Sequence, residues 1–332
     1  MNRANYDRDR GMALLRMMER IRAFEEQAEL AATRDELVLG AIHLSIGQEA
    51  IPAGLLPCLN TTDLLLSTHR GHGHTLAKGA SPVAMMKELL GRAGGCCGGK
   101  GGSMHIADFG VGMLGANGVV GANIHIGAGA AHGAKLLGDG RIVVDIFGDG
   151  AINRGPFLEG LNWAGVFELP ILFVCEDNQY SASTRTSDMT AGDGAAARAR
   201  SFGIHTTEID GNAAEAIAAL APELVARIRQ TGQPEFLHAR TYRLHGHTYF
   251  DPAAYRPKAE SDRQWAEDDP IQRQRDVLAS HGQQSDEIDK ARSDAVTEME
   301  AALADATIAP WPADNTVFDD VQDIGSPAQE AF

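Results

Sequence analysis

Long apolar runs are missing. No stretch of the 332 residues reaches the roughly 18 consecutive apolar residues that a membrane-crossing helix needs. The opening segment, MNRANYDRDRGMALLRMMERIRAF, lacks the apolar core of a secretory leader, so a soluble, cytoplasmic protein with no membrane partner is expected. Basic charge is also short: 29 Lys and Arg against 45 Asp and Glu leave a net −16, which argues against a nucleic-acid groove or an anionic membrane surface. Cysteine is scarce. Cys58, Cys96, Cys97 and Cys175 form no CxxC pair, and Cys175 sits in an apolar run, so reduced structural thiols are expected. No internal repeat or low-complexity tract stands out.

What remains is an ordinary globular composition, 44% hydrophobic with 37 glycines, suited to an α/β protein with many tight turns. The most informative stretch is 141–180, RIVVDIFGDGAINRGPFLEGLNWAGVFELPILFVCEDNQY. Two short apolar runs, Ile142 to Phe147 and Ile171 to Val174, bracket a segment of helical spacing, which predicts a βαβ unit with both strand ends on one edge of a parallel sheet. Asp149 and Asn178 then meet outside neighbouring carboxyl ends, where open α/β sheets bind ligands. A carboxylate and an amide oxygen suit a hard cation such as Mg²⁺, and the glycines around Asp149 let backbone approach a phosphate. The plainer alternative is that Asp149 merely caps the following helix.

Along the chain, Met12 to Leu37 carries the apolar stripe of a long helix, and a loop holding His43 leads into another. Leu64 to Leu66 reads as a strand running into Ser67-Thr68-His69-Arg70-Gly71-His72-Gly73-His74, for which an anion site with Arg70 as forked donor is better supported than a metal site. Gly94 to Lys100 nearly spells a Walker A loop, but Gly101 stands where Ser or Thr should be. Gly110 to Gly115 spells GxGxxG without a preceding strand. Both are set aside as chance matches. The Ala- and Gly-rich segment 127–137 suits a closely packed helix, and a strand near 204–209 and a helix from Asn212 to about Arg229 follow. A last strand, Phe236 to Ala239, leads into Arg243, His245 and His247, which share one side if the chain stays extended. Two helices are expected beyond Asp268, then a proline-bearing tail from Ala309 that is extended, docked or partly disordered.

With these stretches laid out, the chain resembles the alpha subunit of the thiamin-diphosphate-dependent component of acetoin and pyruvate (2-oxo acid) dehydrogenase complexes. The likeness runs from about Met12 to Asp268 through HLSIGQEA, STHRGHGHTLAKG, GGKGGSMHIAD, MLGANGVVGA, GDGAINRG…CEDNQY and TYRLHGHTYFDP, and its wording is more like acetoin than pyruvate dehydrogenases. It implies the thiamin-diphosphate-binding fold, a parallel sheet with helices on both faces. On that basis residues 1–40 form an N-terminal helical segment, 41–265 the α/β domain, 266–308 C-terminal helices and 309–332 an extended tail.

The resemblance also implies roles. Asp149, Asn178 and the carbonyl of Tyr180 would hold Mg²⁺ on the diphosphate, with Gly150 and Ala151 against it, Arg70 and Arg243 on its oxygens and His247 beside it. Backbone at Gly118 and Val120 would face the aminopyrimidine. His43 would reach the substrate carbonyl, and His69, where pyruvate dehydrogenases carry tyrosine, would touch the cofactor. His247 and His43 are the expected proton carriers. His125 replaces a common proline, Asp177 a commoner asparagine, and Thr248 stands where mitochondrial relatives carry a phosphorylated serine. The glutamate that activates the aminopyrimidine is expected from a beta subunit in an α₂β₂ heterotetramer, with Glu49 as an internal alternative. The two-carbon product would pass to a lipoyl-bearing dihydrolipoyl acyltransferase or an artificial acceptor. A 2-oxo acid substrate and a non-catalytic scaffold with the same fold remain the competing readings. The purified protein is expected to hydrolyse no ATP; turnover abolished by Lys100→Ala would revive the nucleotide-hydrolase reading.

Overall fold

The computed structural model describes residues 6–38 and 40–319. Six parallel strands form its sheet: β1 (Leu64–Thr68), β2 (Met113–Asn117), β3 (Val143–Gly148), β4 (Ile171–Asp177), β7 (His205–Asp210) and β8 (Glu235–Arg240), in the order β2-β1-β3-β4-β8-β7. A small antiparallel hairpin, β5 (Tyr180–Ser181) with β6 (Thr184–Arg185), follows β4. Helices α1 (Arg8–Thr33), α2 (Ala50–Leu55), α3 (His72–Ala77), α4 (Pro82–Leu89), α5 (Ala122–Leu137) and α6 (Gly155–Phe167) precede β4, and α7 (Gly194–Ser201), α8 (Ala214–Thr231), α9 (Lys258–Glu267), α10 (Pro270–Ser280) and α11 (Ser285–Ile308) come after it.

Strand alternation divides the core. Val144, Ile146, Leu172, Val174 and Leu237 join one apolar cluster with α1, α2, α8 and α11, whereas Val143, Phe147, Ile171, Phe173 and Phe236 join another with α5, α6 and α7. Burial on both faces explains why β3 and β4 read as continuous apolar runs rather than as alternating ones. Helices α5 and α6 approach so closely that a Cβ on Gly160 would lie 2.6 Å from Ile124. The βαβ unit expected over 141–180 is present as β3, α6 and β4.

Several boundaries differ from the sequence reading, each for a local reason. Helix α1 starts earlier because Asp7 caps it, accepting from the Arg10 amide at 3.0 Å. It stops before Leu37 because Glu36 turns left-handed (φ 49°) and the Leu37 amide donates to the Ala31 carbonyl, a C-terminal closure usually signalled by glycine. His72 and His74 lie in the short helix α3, not on a loop, and both rings point inward. The run around Met113 to Asn117 forms edge strand β2, and helices α4 and α9 fall in segments for which the sequence reading gives no helix. Of the tail, 309–319 packs locally: the Ala93 amide donates to the Pro310 carbonyl, and the Arg92 guanidinium stacks over Trp311. The rest, Pro327 included, lies outside the described residues.

The near-Walker loop binds an internal anion. The fully buried Glu88 carboxylate accepts from the amides of Cys97, Gly99, Gly101 and Gly102 at 2.6–3.2 Å, filling the concavity a phosphate would need. A second buried acid, Asp145 on β3, faces α5. Its Oδ1 accepts from Asn123 at 2.7 Å, its Oδ2 has no partner among the described residues, and burial raises its pKa to about 8. Since the folded carboxyl keeps its proton up to about pH 8 and the unfolded one loses it near 3.8, stability contributed by this group is full below about pH 4 and is lost as pH rises towards 8. The Asp145→Asn protein should therefore be more stable than the parent at pH 8, by on the order of 1 kcal/mol or more, with the gain shrinking towards pH 5. A pH-independent difference in thermal melts would contradict this.

Candidate active site

A cleft of about 870 Å³, open to solvent, lies at the carboxyl edge of the sheet, where β1, β3 and β4 end. It is lined by His43, His69, Arg70, Gly118, Val120, Asp149, Gly150, Ala151, Asn178, Tyr180, Arg243 and His247, so the residues to which the resemblance gives cofactor-binding and proton-carrying roles reach one cavity. Register does much of this: Gly148 pairs with Glu176 across β3 and β4, so the residues just beyond both strands emerge side by side.

Asp149 is 2% exposed and receives the Thr186 hydroxyl on its Oδ2. Burial, and then the neighbouring Asp177 carboxylate, raise its pKa to about 7. Asn178 is oriented by two contacts: its Nδ2 donates to Gln48 Oε1 at 2.8 Å, and its Oδ1 accepts from the Tyr180 amide at 3.2 Å. Between them Gln179 adopts φ 71°, a left-handed turn costly for a side-chain-bearing residue, which folds Tyr180 back against the strand end. Gln48 is itself tied to Glu176 (2.8 Å), which also meets His74 (3.4 Å), and His74 meets Ser67 (2.8 Å). Hence His74 supports the acid–amide end from behind.

Arg70 spends its guanidinium on the Leu44 and His247 carbonyls, and Arg243 spends its own on the Ala182 carbonyl and the Tyr255 hydroxyl. Among the described residues neither meets a carboxylate within ion-pair distance. Burial and the like charge of Arg243 bring Arg70 down to about 9, and burial also lowers Arg243. Two buried guanidiniums without counter-ions make an anion site. His43, His69 and His247 line the same cavity with ring centroids 4.6–5.7 Å apart, and burial followed by the Arg70 charge lowers them to about 3, 2 and 4.

Other expectations fail on geometry. His72 donates or accepts between Glu25 (2.8 Å) and Ser103 (2.9 Å) and takes no part in the cavity. His245 does not share a side with Arg243 and His247, because the chain beyond β8 leaves extended conformation; its ring turns towards Glu29 and Trp265. Glu49 is fully buried, bound by Arg22 and by the Gly47 amide, and does not line the cleft. His125 sits on the outer face of α5, 3.0 Å from Glu159 on α6. Conversely, Gln48, Glu176 and Thr186 were missed. Gln48 lies inside the quoted HLSIGQEA motif and Glu176 two residues before Asn178, so proximity to motif residues was the available signal, whereas Thr186 carried none.

A parallel sheet whose carboxyl edge offers a buried acid–amide pair facing two unpaired guanidiniums is the layout of an enzyme that anchors a phosphate-bearing cofactor. The chain belongs to the dehydrogenase E1 component family, whose sequence model matches residues 16–314. It is 40% identical over 323 residues, 95% of each chain, to the alpha subunit of acetoin:2,6-dichlorophenolindophenol oxidoreductase from Cupriavidus necator. It is 37% identical to the Bacillus subtilis protein of the same name, over 94% of this chain and 93% of that one. The pyruvate dehydrogenase E1 component subunit alpha of Rhizobium meliloti is 35% identical, over 96% and 91% respectively. Family membership makes this chain part of a thiamin-diphosphate-dependent oxidoreductase.

If the guanidiniums await an anion, inorganic pyrophosphate with Mg²⁺ should bind, and Arg70→Met should weaken it by about tenfold or more, the value of one charge-assisted contact. Binding should also raise the pKa of His43 and His247 by screening Arg70, read as histidine NMR titrations; unmoved titrations would count against the anion site.

Proposed function

We propose that this chain is the alpha subunit of a heteromeric, thiamin-diphosphate- and Mg²⁺-dependent dehydrogenase that cleaves acetoin and passes the two-carbon unit to a lipoyl group or an artificial acceptor. The observation carrying this reading is the gathering of buried Asp149, Arg70 and Arg243 in one cleft with no ion pair among the described residues: a buried acid favours a cation, and two buried guanidiniums favour an anion. A magnesium-bound diphosphate answers both needs at once.

On this reading the Asp149 carboxylate, the Asn178 Oδ1 and the Tyr180 carbonyl hold Mg²⁺, which favours oxygen ligands. Arg70 and Arg243 take diphosphate oxygens, with Gly150 and Ala151 giving the close backbone approach. Backbone at Gly118 and Val120 positions the aminopyrimidine, next to His69. Bound thiamin diphosphate supplies the nucleophile and electron sink for breaking the bond beside a ketone. The protein manages protons. Arg70 Nη2 lies 3.4 Å from His247 Nδ1, which assigns the proton of the neutral ring to Nε2, the atom that donates it. His43, 93% buried against the same cluster, serves at the substrate carbonyl. General acid–base help of this kind is worth about 10²–10⁴-fold.

The activating glutamate comes from a beta subunit in an α₂β₂ assembly. Exclusion of Glu49 from the cleft supports this, as do the exposed apolar Val119 and Val120 on its rim, which a partner would cover. A lipoyl-bearing acyltransferase is the physiological acceptor on this reading. Acetoin is preferred over pyruvate because a 2-oxo acid needs a cation for its carboxylate, and the cleft's two guanidiniums are assigned to the diphosphate. The likeness to acetoin oxidoreductase subunits points the same way. A scaffold role is disfavoured by the intact set of cleft residues.

Purified alpha and beta chains with thiamin diphosphate and Mg²⁺ should reduce 2,6-dichlorophenolindophenol on addition of acetoin, with His247→Ala lowering kcat by about 10²-fold or more. Turnover of pyruvate alone would replace acetoin as substrate, and no turnover of any ketone with bound cofactor would favour the scaffold.

A further inference from the structure

The oxygen ligands at Asp149 and Asn178 do not account for three neutral imidazoles in the same cavity. His43, His69 and His247 come from three separate segments: the loop before α2, the turn after β1 and the chain beyond β8. Each offers a ring nitrogen, and the three nitrogens lie within 4.8 Å of one another. His43 is 7% exposed, yet its Nδ1 has no hydrogen-bond partner among the described residues. An orphaned nitrogen in so enclosed a place is expensive unless something occupies its lone pair or proton. Neutral imidazole is the commonest nitrogen ligand for Zn²⁺, which binds at about 2.0–2.1 Å and so needs its ligands about 3.4 Å apart in a tetrahedron. Binding therefore requires the three rings to turn towards one another from their present spacing. The open side of the cleft leaves the fourth position to water, the arrangement of a three-histidine site. Mg²⁺ gains little there, since it prefers oxygen ligands. The Arg70 guanidinium beside His247 is a like charge and limits the affinity.

We propose that His43, His69 and His247 form a second divalent-metal site, taking an imidazole-preferring transition ion such as Zn²⁺ and separate from the oxygen ligands at Asp149, Asn178 and Tyr180. Occupation ties up both proton-carrying imidazoles, so the ion acts as an inhibitor; that consequence rests on the function proposed above, whereas binding does not. The probe is Co²⁺ added to the metal-stripped full chain in excess Mg²⁺, which keeps the oxygen ligands filled. One equivalent should bind with the intense visible bands of a four- or five-coordinate, nitrogen-ligated ion and be displaced by Zn²⁺. His69→Ala, His43→Ala and His247→Ala should each weaken binding at least tenfold, while His105→Ala, outside the cavity, should not. Unchanged affinity and spectrum in the three variants, or only the pale spectrum of a six-coordinate ion, overturns the site. Independently of any variant, Zn²⁺ should shift three of the 12 histidines together in the nitrogen NMR spectrum of the parent protein, and scattered shifts overturn it as well. Loss of turnover on Zn²⁺ addition, measured separately, tests the inhibition alone.

Discussion

Buried charges of both signs gathered in one cleft are the constraint on which the rest of this structure depends. Asp149 is buried with its pKa raised to about 7, while Arg70 is buried beside Arg243 with its own lowered to about 9. Each shift is the cost of holding an ion out of water without a partner. Evolution would remove such groups if packing were their only purpose, since apolar replacements of buried ions are often neutral or stabilising. A ligand carrying a cation and an anion together resolves the whole arrangement. Burial first, and then the Arg70 charge, lower the three histidines, so an anion on Arg70 lifts them only part of the way back.

Holding such charges in place takes a rigid frame. In-register pairing of β3 and β4 sets Asp149 and Asn178 side by side, and the Gln48–Glu176–His74–Ser67 chain fixes the amide from below. Glu25, His72 and Ser103 pin the neighbouring loop to α1. Glu88 gathers the glycine-rich loop whose continuation brings Met104 to the cleft wall. These buried polar chains are nearly satisfied throughout, which is what gives them directional stiffness. Of the cleft-lining side chains, His43 keeps a buried nitrogen without a hydrogen-bond partner among the described residues, and Asp145 keeps such an oxygen in the core.

Legibility in the sequence tracked the range of the interaction. The β3–α6–β4 unit is readable because central strands buried on both faces are near-continuously apolar and end in polar runs, Gly148-Asp149-Gly150 after β3 and Glu176-Asp177-Asn178 at the end of β4. The cleft lining was readable because short motifs at strand ends carried polar residues that packing does not explain. Edge strand β2 was hidden, since its small residues and partial burial leave neither alternation nor a β-branched run. The inward turn of His72 and His74 depends on Glu25 and Glu176, far away in sequence, and no local pattern reports it. Likewise the swing of His245 away from Arg243 follows from the irregular chain after β8, where a period of two no longer applies. The Gln179 turn, left-handed without glycine, is a strained feature that sequence statistics steer away from.

The account stands on the acid–amide pair holding a cation that anchors a diphosphate. Calorimetric titration of thiamin diphosphate into the assembled protein, with and without Mg²⁺, in the parent and in Asp149→Asn, tests it most directly. Tight binding that requires Mg²⁺ in the parent, and that weakens at least a hundredfold in the variant, is the predicted result. Equal affinity in both proteins, or binding indifferent to Mg²⁺, would contradict it.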